Sequence, residues 1–385
     1  MRDNGAMGAL GIGEQLLARA AAVAAPLHAD ATELLTGRAA LTGWAPRGRI
    51  SAGGATRLLQ ARDGWFALTL SRPDDIDAVP ALVGADGIGA DPWPAVTAWA
   101  ATQPAAAVVE RARLLSLPAA TPAETAAAPP RITACGTRSR PREPRGLLVA
   151  DLTSLWAGPL CGRLLADAGA VVVKVESPQR PDGTRAGNVA FFNWINHDKL
   201  CYGVDFDTER TALAALLSAA DVVLEGSRAG GLTRRRLGPE QLPGPAGRVW
   251  LRISGYGGDS PDRVAFGDDA AVAGGLIGFD ATGPVFRGDA LADPLTGLEA
   301  AAAVLAALRR GGGELIEIGL AQVAATYVKP ASGSDPAPVP PAPVTAAHAL
   351  GADNAAVERI IAEKYYAKTD NARKAVGRTQ RCRDA

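Results

Sequence analysis

Two stretches of the chain carry residue types whose spacing suits chemistry on an anionic substrate. The first, residues 146–176, reads GLLVADLTSLWAGPLCGRLLADAGAVVVKVE. Its apolar run 147–150 is short and continuous, as in a buried parallel strand. Asp151-Leu-Thr-Ser leads into the turn Ala157-Gly158-Pro159, and Leu160, Leu164, Leu165 and Ala168 then recur at helical spacing. Gly169 closes that helix, and 171–175 is a second β-branched run that ends on Glu176. Strand, glycine turn, helix and strand make a βαβ unit with a right-handed crossover. Its helix N-terminus, at the strand's carboxyl end, offers free N–H groups to a phosphate. A dinucleotide site with Glu176 as the ribose acid fails on the glycine pattern. The turn reads A-G-P-L-C-G, not G-x-G-x-x-G, and Pro159 stands where bare backbone has to approach a pyrophosphate. The second stretch is Leu291-Ala-Asp-Pro-Leu-Thr-Gly. Asp293 before Pro294 predicts a helix start, an N-cap carboxylate with proline at the first helical position. Capping by itself accounts for the pair. The same placement also suits a nucleophile, because the helix dipole and the backbone N–H groups hold a carboxylate ionised. Thr296 and Gly297 would then let the backbone approach a ligand.

Little else in the composition points to a reactive centre. His28, His197 and His348 are scattered, which gives no metal-ligand spacing and no Ser–His pair. Cys135, Cys161, Cys201 and Cys382 lack CxxC spacing and follow no secretory segment, so the expectation is free thiols in a reducing cytoplasm. Lys+Arg and Asp+Glu are 40 each, a neutral balance with no electrostatic footprint for nucleic acid. No stretch approaches the ~18 uninterrupted apolar residues of a membrane span. With 385 residues, 48% of them hydrophobic, the chain has material for a sizeable core, as in an α/β enzyme.

The elements that have to position these residues fall into an α/β plan, a parallel-sheet Rossmann-like large domain with a smaller α+β domain. Residues 1–36 form an N-terminal helical segment, with Leu16, Leu17, Ala20, Ala21 and Val23 apolar and Pro26 as its breaker. Residues 37–125 form the small domain. It opens on the basic loop 47–57 containing Gly53-Gly54, for which a simple turn suffices on composition. A hairpin alternates about Asp63-Gly64, and short helices follow at 75–83, 93–101 and 105–115. Residues 126–145, with TRSRPREPR, read as a linker. The large domain, 146–329, has further strands at 202–204, 222–224, 249–253 and 315–318, and helices at 208–219 and 294–309. A Pro-rich linker, 330–344, precedes a closing helix in 345–363 and a basic tail, 364–385.

Six blocks, taken in order, resemble the family III CoA transferases of the carnitine and formyl-CoA transferase type. They are DLTSLWAGPLCGRLLADAGAVVVKVESP, FFNWINHDKLCYGVDF, ADVVLEGSRAGGLTRRRLG, RVWLRISGYGGDSPDR, ADPLTGLEAAAAVLAAL and GGGELIEIGL. The resemblance implies a parallel-sheet large domain, a small domain, and two chains interlinked as a homodimer. One departure concerns chain order. GRISAGGATRLLQARDGWFALTL resembles the family's glycine loop and first small-domain strands, and RARLLSLPAATPAE that domain's end, yet both precede the large domain. ALGADNAAVERI resembles the closing segment. The small domain is therefore expected to be permuted to the front, unless the chain is a truncated or duplicated relative.

The resemblance also implies roles. Asp293 matches the nucleophile that attacks an acyl-CoA thioester, giving a mixed anhydride and then an enzyme–CoA thioester that a carboxylic acid acceptor resolves. Gly53 and Gly54 match the loop that shields the anhydride from water. Coenzyme A is a substrate, not a bound cofactor, and by motif position its contacts are Ser154, Trp156, Ala157, Lys199 and Arg234. Each has an ordinary alternative: Lys199 and Arg234 as solvated surface charges, Trp156 as core. Gly226 and Ser227 stand where the family commonly has Asn and Phe, which weakens or replaces adenine or ribose contacts there. Two other functions stay open. An α-methylacyl-CoA racemase shares the fold, but its second base is a histidine, and the stretch Ala265-Phe-Gly-Asp-Asp-Ala offers only Asp268 and Asp269. A degenerate homologue that binds CoA without turning it over is the third.

Overall fold

The computed structural model describes residues 11–226, 230–258, 260–328 and 335–364. The chain opens with helices α1 (Glu14–Ala24) and α2 (Ala31–Thr42). Asp30 starts α2 by accepting from the N–H groups of Thr32 and Glu33 at 2.7 and 3.3 Å, and Gly43, at φ 71°, ends it. The hairpin β1 (Thr56–Gln60) and β2 (Trp65–Thr69) closes on Gln60 opposite Trp65, with Asp63-Gly64 between them. Helices α3 (Pro73–Asp77), α4 (Val79–Val83), α5 (Trp93–Ala100) and α6 (Ala105–Leu114) follow. The short β3 (Ala119–Ala120) completes a three-stranded antiparallel sheet. Phe66, Leu68, Leu82, Val96 and Val108 give this unit a core of its own. Helix α2 runs across residue 37, where the sequence reading starts the small domain.

The second sheet is built from β4 (Arg131–Ala134), β5 (Leu148–Leu152), β6 (Val171–Glu176), β7 (Leu200–Gly203), β8 (Val222–Glu225) and β9 (Val249–Ser254). A separate hairpin, β10 (Gly278–Asp280) with β11 (Gly283–Val285), precedes its last strand, β12 (Glu314–Gly319). The order across the sheet is β4-β12-β9-β8-β5-β6-β7, parallel throughout except for β4. Succession reverses at β5, with β6 and β7 to one side and β8, β9 and β12 to the other. That is the doubly wound arrangement, and its crevice opens at the carboxyl ends of the strands where the order reverses, β5 and β8. The expected α/β class and parallel sheet are what the chain forms. The stretch 126–145, read as a linker, is different: it supplies β4, with Ile132 opposite Ile316. All four residues of β4 are exposed, but Arg142 reaches Asp221 at 2.8 Å and Pro144 is buried. A ladder at a sheet edge needs only the backbone.

Helices α7 (Ala157–Asp167), α8 (Val189–Asn196), α9 (Arg210–Ala219), α10 (Gly231–Arg234), α11 (Gly267–Ala273), α12 (Ala292–Arg309) and α13 (Leu320–Thr326) cover the sheet. On one face α7, α12 and α13 share a core with α1 and α2, through residues such as Leu16, Leu35, Leu160, Leu298 and Val304. On the other, Leu213, Leu216 and Leu217 of α9 pack with Val357 of the helix 354–364. The segment before that helix covers the free edge of β7. Asp353 accepts from the Cys201 N–H at 2.7 Å, and the Asn354 amide bonds both backbone groups of Gly203 at 2.9 Å. The described part of the Pro-rich stretch is tied to the N-terminal segment: Asp335 accepts from the Gly11 and Gly13 N–H groups, and the Val339 N–H bonds Thr36. Among the described residues no helix is long and apolar enough to cross a membrane.

Candidate active site

The crevice at the end of β5 is shaped by buried ion pairs. Lys174 of β6 reaches Asp182 at 2.7 Å and the Thr153 carbonyl at 3.2 Å, and Asp182 accepts from the N–H of Leu155. Burial works against the charge on Lys174, but Asp182, Asp151 and Glu176 outweigh it and raise its pKa. Leu155 is held in the left-handed region at φ 73°, strained for a branched side chain, and lifts Ser154 and itself into solvent. Glu176, the would-be ribose acid, instead accepts from Arg185 and from the Asp182 N–H. Helix α7 begins at Ala157, three residues before the apolar repeat indicates, because Pro159 is tolerated within a first helical turn.

The motif residues divide by position. Ser154 is exposed beside the α7 N-terminus, where Ala157 is the first helical residue, and Arg234 is exposed at the end of α10. Trp156 is 1% exposed: it meets Phe191 edge-on at 5.4 Å between centroids, and the Arg38 guanidinium lies 4.2 Å over its ring. Lys199 is 2% exposed, bonded to Asp151 at 2.8 Å and the Pro159 carbonyl at 2.7 Å, with burial lowering its pKa against the pull of Asp151. Neither the surface-charge reading of Lys199 nor a direct contact with a ligand in the crevice fits that place; its bonds instead hold the β5 end and the α7 entry together. Ser227 lies outside the described residues, as do Cys382 and the tail from 365.

Asp293 occupies the first turn of α12, but the N-cap is Leu291, and Asp293 is the second helical residue with Pro294 the third. Its carboxylate faces α11, where the Gly267 N–H donates to it. A side chain at 267 would collide with that carboxylate and come within 2.6 Å of the Ala290 carbonyl, so glycine is required for this approach. The charges acting on Asp293 are Asp268 on α11, Asp289 in the preceding turn and Arg38 on α2, and Asp268 in turn acts on Asp269. Burial, aided by Asp268 and Asp289 and opposed by Arg38, pushes Asp293 up to about 7. The expectation of a carboxylate kept ionised by the helix end is therefore corrected, since desolvation and like charge outweigh the dipole here. Burial likewise pushes Asp268 to about 6 and Asp269 to about 7. Gly297, expected to admit a ligand, instead admits α7: a Cβ there would lie 2.6 Å from the Ala157 carbonyl and 3.0 Å from Leu160 Cβ.

The loop with Gly53 and Gly54 comes to this same place. Gly54, at φ 81°, donates to the Ser51 carbonyl at 2.9 Å, and Gly53 lies against the Trp44 ring. Ser51 is fully buried and bonds Asp268; Thr56 reaches Asp268 at 3.4 Å, and Thr69 reaches Asp269 at 3.0 Å. The fold thus brings Asp293, the glycine loop, Trp156 and Ala157 into one region. Arg38 and Asp289 escape a reading of the sequence, because nothing in a helical Arg on an Ala-rich segment signals a partner 251 residues away. Among the described residues no His/Cys/Asp/Glu group could hold a metal ion.

A model of the family described as CoA-transferase family III matches residues 145–360. The chain is 35% identical over 204 residues to a succinyl-CoA–D-citramalate CoA-transferase of Chloroflexus aurantiacus, covering 47% of this chain and 51% of that protein. It is 34% identical over 204 residues to a succinate–glutarate CoA-transferase of Agrobacterium fabrum, covering 46% and 51%. A crystal structure of a CAIB/BAIF family protein from Brucella suis aligns over 49% of this chain and 55% of that one, at 31% identity and a TM-score of 0.45. The chain spans about half the length of the curated relatives it matches.

Proposed function

The chain belongs to CoA-transferase family III, and on that premise we propose that it moves coenzyme A from an acyl-CoA to a carboxylic acid, with Asp293 as nucleophile. The observation that carries this reading is the placement of Asp293. It lies in the first turn of α12, bonded by the Gly267 N–H, beside a glycine loop that Ser51 anchors to Asp268. Relatives named for succinyl-CoA–D-citramalate and for succinate–glutarate CoA transfer support exchange between acids as the reaction class.

In this reading the ionised Asp293 oxygen adds to the thioester carbonyl, the C–S bond breaks, and CoA thiolate leaves a mixed anhydride. The thiolate adds to the aspartyl carbonyl and expels the donor carboxylate, leaving an enzyme–CoA thioester. An acceptor carboxylate adds to that thioester to form a second anhydride and free the thiolate. Attack by the thiolate on the acceptor's acyl carbon then releases the new acyl-CoA and regenerates Asp293. No proton is transferred, so the carboxyl has to be ionised at the outset, and burial that raises its pKa also strengthens it as a nucleophile. Gly53 and Gly54, on the loop that Ser51 anchors to Asp268, would shield the anhydride from water. Ser154 and the α7 N-terminus, with Arg234, supply the crevice's donors to the CoA phosphates, while Trp156, Ala157 and Lys199 shape that turn from behind. The unit preceding the family-matched segment serves as the small domain, and two copies interlink.

Mass spectrometry of the protein incubated with a panel of acyl-CoAs and then trapped with hydroxylamine tests the reading. A hydroxamate at Asp293 is expected, and modification elsewhere or nowhere would refute it. Proton transfer, as in a racemase, has one observation in its favour, the second carboxyl of Asp268 beside Asp293. In heavy water it would place deuterium at the α-carbon of a 2-methylacyl-CoA without any acceptor acid, and transfer would not.

A further inference from the structure

We propose that Arg38, on a helix far outside the family-matched segment, is the positioning residue for Asp293. Its guanidinium, clamped between Asp289 and Trp156, fixes the turn that launches α12 and provides the positive charge facing the carboxylate. The inference deepens the transferase reading and rests on it for its catalytic meaning.

The geometry is specific. Arg38 Nε donates to Asp289 Oδ2 at 2.7 Å and Nη2 donates to Oδ1, a two-pronged pair whose carboxylate is 1% exposed. The guanidinium carbon, Cζ, lies 4.2 Å from the Trp156 ring centre, 5.5 Å from that of Phe191 and 5.7 Å from that of Trp44. Three aromatic faces and a fixed carboxylate leave the side chain one place to be. Asp289 in turn opens a tight corner, with Gly288 at φ 61° and Ala290 at φ 46°. A left-handed alanine persists only where its surroundings impose it. Here the Ala290 N–H is held by Asp268 at 3.1 Å, its carbonyl accepts the Asp293 N–H at 2.8 Å, and Arg38 grips Asp289. The charges that act on Asp293 are those of Arg38 from α2, Asp289 from the corner and Asp268 from α11, and the Gly267 N–H donates to it. Asp268 in turn raises Asp269, and the Ser51 hydroxyl from the loop and the Thr56 hydroxyl from β1 bond Asp268. Arg38 is the cation in this set of carboxyls. Lys, a point charge without the planar fork, keeps the charge and loses the clamp.

The test is a carbon-13 NMR titration of the full-length protein labelled in its aspartate carboxyls, with the Asp293 signal assigned by its loss in Asp293→Asn. Arg38→Gln should raise the Asp293 midpoint by about one pH unit, the size of effect an adjacent opposite charge exerts. Arg38→Lys should bring most of that shift back. In kcat/KM for acyl exchange, Arg38→Gln should lose about tenfold at pH 6 and converge on the wild type above pH 9, a profile that simple loss of structure does not give. A midpoint in Arg38→Gln at or below the wild-type value overturns the proposal. Should that variant not fold, an Arg38→Lys midpoint below the wild-type value overturns it. Midpoints that move as stated in a protein forming no adduct at Asp293 would fell the nucleophile reading and leave the hold of Arg38 on Asp293 standing.

Discussion

Asp293 feels the charges of Asp268 and Asp289, and Arg38 offsets only part of that repulsion. Because Leu291 and not Asp293 caps α12, the carboxylate is not needed to start the helix. Asp293→Asn should therefore cut acyl exchange by a factor of about a thousand or more while leaving the melting temperature at pH 8 unchanged or slightly higher. A melt that collapses would return Asp293 to a structural role. The cluster also sets a pH dependence of stability. Asp268, Asp269 and Asp293 sit near 6, 7 and 7 in the folded chain against an ordinary 3.8. Between about pH 4 and 7 the native protein holds protons that the unfolded chain has released, so stability falls as pH rises through that window and levels off above it. Asp182 and Asp221, whose values are lowered, act only at the acid end. The melting temperature should thus be higher at pH 5.5 than at pH 8, by less in Asp269→Asn. Equal slopes in variant and wild type would show that Asp269 contributes nothing.

At the scale of elements, the site depends on how closely α7 and α12 approach, since α7 opens at the crevice and α12 carries Asp293. Gly297 is one turn beyond Asp293, and its bare Cα lets the Ala157 carbonyl nest against α12. Gly297→Ala would place a Cβ 2.6 Å from that carbonyl, and backbone cannot swing aside as a flexible side chain can. A loss of about 1–3 kcal/mol is expected, typical of overpacking, together with reduced acyl exchange as the two helix ends separate. Denaturant midpoints read the first and initial rates the second. A wild-type midpoint would mean that the helices are free to slide. The hairpin, the βαβ unit and the strands of the parallel ladder follow from periodicity and turn residues. The start of α12 does not, because Asp-Pro fits both an N-cap with N1 and, as here, positions inside the first turn.

For the whole molecule, the N-terminal helices and β4 belong to the same body as the parallel sheet. Ile12, Leu16, Leu34 and Leu35 are buried in the core shared with α7 and α12, and β4 covers the outer edge of β12. A chain beginning at residue 141 loses that edge strand and uncovers the apolar face of α12. It should be recovered aggregated, read by light scattering, and a soluble, active fragment would contradict the arrangement. What the amino-acid sequence determined by itself was the local order: β-branched runs, a helical repeat after a glycine turn, Asp63-Gly64 between alternating strands, and the six blocks that carry the family resemblance. Each is a property of neighbours within a few residues, where sterics and solvent exposure act without help from afar. Only the tertiary structure decided that Lys199 lies inside against Asp151, that an Arg- and Pro-rich stretch pairs as a strand, and that Arg38 pairs with Asp289. Those outcomes turn on desolvation and on charges brought together across hundreds of residues, and neither is written in the spacing of the residues themselves.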